Sequence, residues 1–566
     1  MKRTSKILIG IFIIAVILRL ISAHHLGVDT DEMIYSIIPL NIISGGNIGT
    51  VEQSPLAFYL ADIGYQVWGG ITAISVRLLA VLFGSLAVFV VYLIGRDMFS
   101  KRAGIYSAAL FALSGYMLEF NFEMDIAAFF FALLSMYYFM RYIKSNGNKM
   151  LFYSMTFLAI AAMIKNIIAI FAPAFVLVWL YVHRKNLNGV IKKQGKTLIL
   201  GILLALLIIS PIFAYNYLTF KEKGTTDYYF SNILGIGETV HHGLQNKAWS
   251  LSRFVSIIKD RVSDLVRLDL VLLVFGLVGM VMGLKKRFVS SSLLILSALF
   301  LVLYLGGQTG SQNHYLWLPL ILSIFAGYGL LVVGKRLNSP KIFKFMIAGI
   351  FVFVALSTVL TADKVIDMRQ DSISLTLRDY VHEEIPEDAI VVIDPRIYRG
   401  IHAWVFNDRH YIEGTQFAEL QQLPLPGPQT AASLYYIECG EGSYCGWKPE
   451  DFDRITPAGE QISAAFTQST KLVKEIKSEH NYNIYEGTIQ VPQGAYEVID
   501  RNHIFWFYPI GWKYPELAVD YYKVSGVKGL IHAFGWAILW LDVLIVFGSI
   551  WLVWKEVEKR KSREPQ

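Results

Sequence analysis

Long apolar runs, joined by connections that are alternately basic and free of Lys and Arg, leave this chain few folds. The runs fall near 7–23, 76–95, 103–118, 124–142, 150–164, 166–182, 197–215, 268–284, 288–305, 315–334, 342–360 and 528–554. About 20 consecutive apolar residues cross a hydrocarbon core about 30 Å thick. In that medium every backbone N–H and C=O needs a partner within its own segment, so such runs read as helices. The expectation is an α-helical polytopic membrane protein with about twelve spans. Composition agrees: the chain is 54% hydrophobic and 17% charged, against about a quarter charged in soluble domains. Lys165-Asn166 and Pro173 divide 150–182 into two helices with a tight turn between them. The first run is too long for a cleaved signal, and it leads directly into an acidic stretch.

Orientation follows from the cations. Lys2, Arg3 and Lys6 precede the first run, and Arg96, Lys101 and Arg102 follow the second. HRKNLNGVIKKQGK, KKR, KRLNSPK and KEVEKRKSREPQ mark later connections on the same side. The alternating connections 24–75, 119–123 and 306–313 hold no Lys or Arg. Both termini are therefore expected in the cytoplasm of a multi-pass protein of the cell membrane. The net charge of +7 is this topology signal and not a nucleic-acid footprint.

Three segments between spans are large, and all are expected outside. Residues 1–360 read as the membrane module, with external loops 24–75 and 216–267. Residues 361–527 read as a small extracytoplasmic α/β domain, and 528–566 as a last span with a basic tail. Loop 24–75 is apolar enough to lie in the membrane interface. The second loop ends in SRFVSIIKDRVSDLVRLD, whose apolar residues recur at helical spacing between Arg253, Lys259, Arg261 and Arg267. In the soluble domain AIVVID reads as a buried strand, after a helix over DSISLTLRDYVHEEIP. The only cysteines, Cys439 and Cys445, lie in that external domain. A disulfide closing a small loop is the favoured reading, and two free thiols the other.

The chemistry-bearing residues gather at external ends of spans. Asp29, Asp31 and Glu32 stand in GVDTDEMIYS at the mouth of the first run. Asp29 as an N-cap with Glu32 three residues on makes a capping box. That accounts for two acids and leaves Asp31. Glu119, Glu123 and Asp125 form a second cluster, in which Asp125 can equally be an N-cap. Cations stand in matching places: Arg77 opens the second span, Lys165 closes the fifth and His314 opens the tenth. Lys165 can also be an interfacial lysine snorkelling to water, but an Arg facing lipid is costly.

External carboxylates with converging cations suit transfer of a sugar carried on a polyprenyl phosphate. The phosphate leaves well if its charge is held, which Arg and Lys do. The acceptor hydroxyl needs a base, which a carboxylate supplies. One base and direct displacement give inversion at C1.

The order of motifs resembles the GT-C glycosyltransferases, in particular the protein O-mannosyltransferase and aminoarabinose-transferase superfamily. The carrying residues are Asp31-Glu32-Met33-Ile34-Tyr35, then SGG at 44–46, then Ser54-Pro55-Leu56-Ala57-Phe58-Tyr59. Arg77-Leu78-Leu79, the Glu123-Met124-Asp125 turn and Lys165 follow in sequence. The resemblance covers about 7–215 by motif and the later helices by layout. Ser54 stands where the family has a second Pro. The soluble domain lacks the WWDYG motif of oligosaccharyltransferases, and no MIR modules are present.

The resemblance implies Asp31 as base and Glu32 as its positioning partner. Arg77 and Lys165 would hold the lipid phosphate, with Asp125, Glu123, His314, Pro55 and Tyr59 also at the substrate. It implies a polyprenyl- or dolichyl-phosphate sugar donor from the membrane lipid, a glycan, lipid or protein acceptor, and no nucleic acid. No metal ligand set and no required cofactor are expected, although Mg or Mn can sit among external carboxylates. Two other classes stay open here: a lipid or glycolipid flippase, and a non-catalytic membrane scaffold. Intramembrane charges also mark transport paths, but the internal repeats common in transporters are not evident.

Overall fold

A computed structural model describes residues 3–27, 32, 48–49, 54–120, 124–145, 147–232, 234–239, 250–306, 311–337, 339–371, 373–406, 409–422, 426–447, 449–477, 480–494, 499, 522 and 524–559. Among them, nine helices are long and apolar enough to cross a membrane. There are ten if Leu187–Ile208 and Ser210–Lys223, bent by 52°, count as one span. This corrects the expected twelve at three runs. The 103–118 run is split into Lys101–Ala112 and Gly115–Phe120. The 150–164 run is a helix of 17 residues, Asn148–Ile164. The 197–215 run is bent where Pro211 enters the second helix of the pair; a proline there has no N–H to continue the ladder.

The expected break at Lys165 is present. Lys165 is extended at φ −148°, ψ 118°, between Asn148–Ile164 and a 3-10 turn over Asn166–Phe171. The expected external helix 253–267 and the span at 268–284 are one 36-residue helix, Leu251–Lys286, kinked at Asp269. The helix Pro340–Asp371 likewise runs past residue 360.

Asp125–Ser145 and Leu78–Met98 form the centre of the bundle, with 89% and 83% of their apolar windows buried. The first helix, α1 (Arg3–His25), is mostly at the periphery. Close crossings rest on small residues, since lipid tails offer helices no hydrophobic gain for associating. Leu251–Lys286 meets Trp317–Arg336 through Gly279 and Gly329. A Cβ on Gly279 would lie 1.9 Å from the Phe325 carbonyl oxygen, and one on Gly329 2.1 Å from that of Phe275.

At one end of the bundle stands a five-stranded sheet. Its strands follow a two-residue pair, β1 (Thr225–Thr226) and β2 (Glu238–Thr239). They are β3 (Ile390–Ile393), β4 (His410–Glu413), β5 (Gln429–Cys439), β6 (Lys471–Ile476) and β7 (Tyr482–Pro492). The order is β4-β3-β5-β7-β6. β3 is parallel to β4 and β5, while β7 is antiparallel to β5 and β6. All four residues of β3 are buried, as expected of a strand covered on both faces. The helix Ile373–Glu384 precedes β3. Cys439, at the end of β5, is bonded to Cys445. One core of this sheet domain takes in Tyr65, Ile71 and Ala73, so the domain sits directly on the corner that follows the helix Leu56–Trp68.

Candidate active site

Helix α1 ends with carbonyl groups that have no partner within the helix, a concentration of negative partial charge. Arg77 meets it. Its Nη1 donates to the carbonyls of Ala23 at 3.1 Å and Leu26 at 2.9 Å. Its Nη2 donates to the Gly27 carbonyl at 2.7 Å. The remaining donors go to Glu32: Nε to Oε1 at 2.7 Å and Nη2 to Oε2 at 2.6 Å. A guanidinium has five N–H groups, and all five are used. Both side chains are fully buried. Glu32 is thus clamped to the end of α1. Asp31, one residue earlier, lies outside the described residues, as do Asp29 and Glu123.

A second cluster forms where three helix ends meet. Asp125 opens Asp125–Ser145, Lys165 closes Asn148–Ile164, and His314 lies in the Asn313–Tyr315 turn before Trp317–Arg336. Asp125 Oδ2 is ion-paired with Lys165 Nζ. Asp125 Oδ1 is 3.0 Å from His314 Nδ1, which is 3.4 Å from Lys165 Nζ. Asn313 Nδ2 reaches Asp125 Oδ2 at 3.5 Å. The helix break at Lys165 turns its side chain inward, and the pair is almost wholly buried.

The Ser54-Pro55 turn is tied to the same break. Ser54 Oγ donates to the Ala162 carbonyl at 2.7 Å and contacts Asn166 Oδ1. The Pro55 carbonyl accepts from the Phe58 and Tyr59 amides and starts the helix Leu56–Trp68. Tyr59 packs edge-on to Trp540, 5.7 Å between ring centres, and bonds Trp536. Pro55 and Tyr59 are therefore seated in the framework: one starts a helix and the other docks it against the last span.

A cavity of about 30 Å³ lies beside the clamped Glu32, lined also by Phe58, Ala61, Tyr65, Val76 and Met124, the residue before Asp125. Burial pushes the Tyr65 hydroxyl well above its ordinary range, and the charges of Asp62 and Glu32 push it the same way. Tyr65 is therefore a neutral phenol at this site. Glu32, Arg77, Asp125, Lys165 and His314 come together at one end of the bundle.

Other residues here were given no place at the site from the sequence. Glu119 is held bidentately by Arg267, at 2.9 and 2.7 Å, with Lys364 at 3.6 Å. Asp269 accepts from Ser114 Oγ at 2.6 Å and from the amides of Gly115 and Tyr116 at 3.0 and 3.1 Å. It thereby caps Gly115–Phe120, which leads toward Asp125. Arg261 is buried, with its guanidinium 5.6 Å from the centre of the Tyr315 ring and bonded to Tyr116. The Tyr116 hydroxyl in turn donates to the Gln312 carbonyl at 3.0 Å, two residues before His314. Arg261 Nη1 lies 3.2 Å from Asp264 without hydrogen-bond geometry, and its Nε has no partner among the described residues. The signal for Arg261 was in the spacing: Ile257, Arg261, Leu265 and Leu268 form the buried stripe of their helix, and an arginine on an apolar stripe calls for an anion.

Among the described residues no three His, Cys, Asp or Glu side chains group as metal ligands.

Residues 52–215 match the family model of the dolichyl-phosphate-mannose-protein mannosyltransferases. The fold is also that of ArnT from Cupriavidus metallidurans in the apo state: 86% of this chain and 98% of that one align, with TM-score 0.55 and 13% identity. Residues 52–215 are thus similar to that mannosyltransferase family, and the overall fold is like that of ArnT. ArnT bound to undecaprenyl phosphate aligns over the same shares, with the same score and identity. The apo oligosaccharyltransferase of Archaeoglobus fulgidus aligns over 77% of this chain and 69% of its own, at 14% identity and TM-score 0.47. No curated protein sequence matches. The segment covered by the family model carries Pro55, Tyr59, Arg77, Asp125 and Lys165. Arg261 and His314 lie beyond it.

Proposed function

We propose that this protein is a GT-C glycosyltransferase that transfers a sugar from a polyprenyl phosphate to a hydroxyl of an extracytoplasmic glycan, lipid or protein acceptor, with inversion at C1. Asp31 takes the hydroxyl proton while the oxygen attacks C1. The C1–O bond to phosphate breaks on the opposite face, and the leaving phosphate keeps the electron pair. No step is assigned to a metal ion. The relative solved with undecaprenyl phosphate supports a lipid phosphate of this class. The Lys and Arg pattern supports placing the site outside the cell membrane with both termini in the cytoplasm.

One observation carries the reading. Buried cations, Lys165 and Arg261, flank the Gln312–Tyr315 turn at the same end as the clamped Glu32. Asp125 and His314 hold Lys165 in place, and Arg261 still has an unbonded Nε. Arg77 spends every donor on the protein. The phosphate contacts are therefore assigned to Lys165 and Arg261, and Arg77 shapes the loop that bears Asp31.

Arg261→Ala and Lys165→Ala should each raise the donor concentration for half-maximal rate about tenfold and lower the maximal rate, because phosphate charge is present in both ground and transition states. The assay is release of polyprenyl phosphate from a total polyprenyl-lipid extract of the source cells. A wild-type donor dependence in both variants contradicts the assignment.

A further inference from the structure

Segment 24–75 contains no Lys or Arg, yet a guanidinium is brought to each side of it. Arg77 gathers its first residues, as described above. The other comes from the sheet domain. Arg378, on the helix Ile373–Glu384, donates from Nη2 to the Ile71 carbonyl. The same guanidinium lies 4.7 Å from the centre of the Trp404 ring, which is fully buried.

Ile71 belongs to a tight corner. Leu56–Trp68 ends in Gly69 at φ 82° and Gly70 at φ 137°, a region where only glycine is unstrained. Thr72 then opens Ala73–Val76 with a capping box to Ser75. Tyr65, Ile71 and Ala73 are buried in one core with Leu377, Val381 and Trp404. Immediately after Val76 comes Arg77, and Tyr65 and Val76 line the same cavity as Glu32.

We infer that Arg378 is a positioning residue for transfer: by holding the 69–72 corner to the sheet domain it sets the helix start that presents Arg77, and through Arg77 it sets Glu32 and the neighbouring Asp31. The inference rests on the transferase reading above. Each link is a contact. A charged donor bonds a backbone carbonyl, and the same cation is stacked on a buried indole. The corner bonded at one point is closed at the next by its own cap. The corner therefore follows the sheet domain, and the clamp follows the corner. A base held near its working geometry loses rate steeply when it shifts by about 1 Å.

The test uses the full-length protein in lipid nanodiscs. Turnover is read as polyprenyl phosphate released from the total polyprenyl-lipid extract, and binding is read separately with undecaprenyl phosphate. Arg378→Ala is expected to lower the maximal rate about tenfold or more, with undecaprenyl phosphate binding within about twofold of wild type. Arg378→Lys, which can still donate to the Ile71 carbonyl, recovers most of the rate. Arg396→Ala is the control: it breaks an ion pair with Asp394, at the end of β3 in the same domain, and keeps the rate. Wild-type turnover in Arg378→Ala, an equal loss in Arg396→Ala, or a parallel loss of undecaprenyl phosphate binding overturns the inference. No release by the wild-type protein is a separate result: it overturns the transferase reading and takes the inference with it.

Discussion

Arg77→Ala should inactivate the protein by loosening the loop after α1, while leaving the affinity for undecaprenyl phosphate close to wild type. The substitution removes five hydrogen bonds at once and leaves the Glu32 carboxylate buried without its partner. Breaking a buried pair from one side typically costs about 3–5 kcal/mol, because the remaining charge stays desolvated. The bared carbonyls at the end of α1 add to that. Arg77→Lys should rescue little. An ammonium is a point charge with three donors and cannot span two carboxylate oxygens and three carbonyls. Thermal unfolding in nanodiscs, with undecaprenyl phosphate binding on the same samples, checks both halves. A variant that melts like wild type but has lost lipid-phosphate binding would restore Arg77 to the phosphate site.

Asp31→Asn should lower transfer by about 100-fold or more, the usual result of removing a general base. Three acids compete for this role in GVDTDEMIYS, and of them only Glu32 lies among the described residues. Both oxygens of Glu32 are engaged by Arg77, and a carboxylate paired in this way is a poorer proton acceptor. Segment 24–75 supplies no Lys or Arg of its own to pair with Asp31 in the same way. Asp29 can serve as a helix cap, a role asparagine fills nearly as well, so Asp29→Asn should cost only a few-fold. Glu32→Gln should resemble Arg77→Ala in stability more than Asp31→Asn in turnover. The check is the maximal rate of the three variants at saturating lipid extract. Equal losses in Asp31→Asn and Asp29→Asn, or a larger loss in Asp29→Asn, would assign the base elsewhere.

The spans, the Lys165 break and the buried strand at 390–393 were legible because each depends on local composition. Hydropathy reads a run, a polar pair reads a turn, and a short β-branched run reads a covered strand. The split of the 103–118 run was not legible. The turn after Ala112 is satisfied by Asp269, 155 residues further along the chain from Ser114, and no window on 103–118 contains that partner. Arg77 was legible as a cation opening the second span, but its contacts were not. Its partners are mostly backbone carbonyls, which every residue has and no sequence distinguishes. Arg261 was one of four cations read on a basic helix. Only its place on the buried stripe separates it from Arg253, Lys259 and Arg267. The union of the sheet domain with the corner at 69–72 was beyond the sequence for the same reason. It joins an apolar loop to a helix about 300 residues later through a carbonyl oxygen.

The central claim is that a sugar leaves a polyprenyl phosphate and is joined to an acceptor at this site. The most direct test follows both products from one reaction. Purified protein in nanodiscs is given the polyprenyl-lipid extract and the extracytoplasmic glycan and glycoprotein fraction of the same cells. Free polyprenyl phosphate should appear one for one with sugar joined to the acceptor fraction, and both should fall together by about 100-fold in Asp31→Asn. Lipid-linked sugar that crosses the bilayer intact in liposomes, with no polyprenyl phosphate released and no change in Asp31→Asn, would contradict a transferase and show a flippase instead.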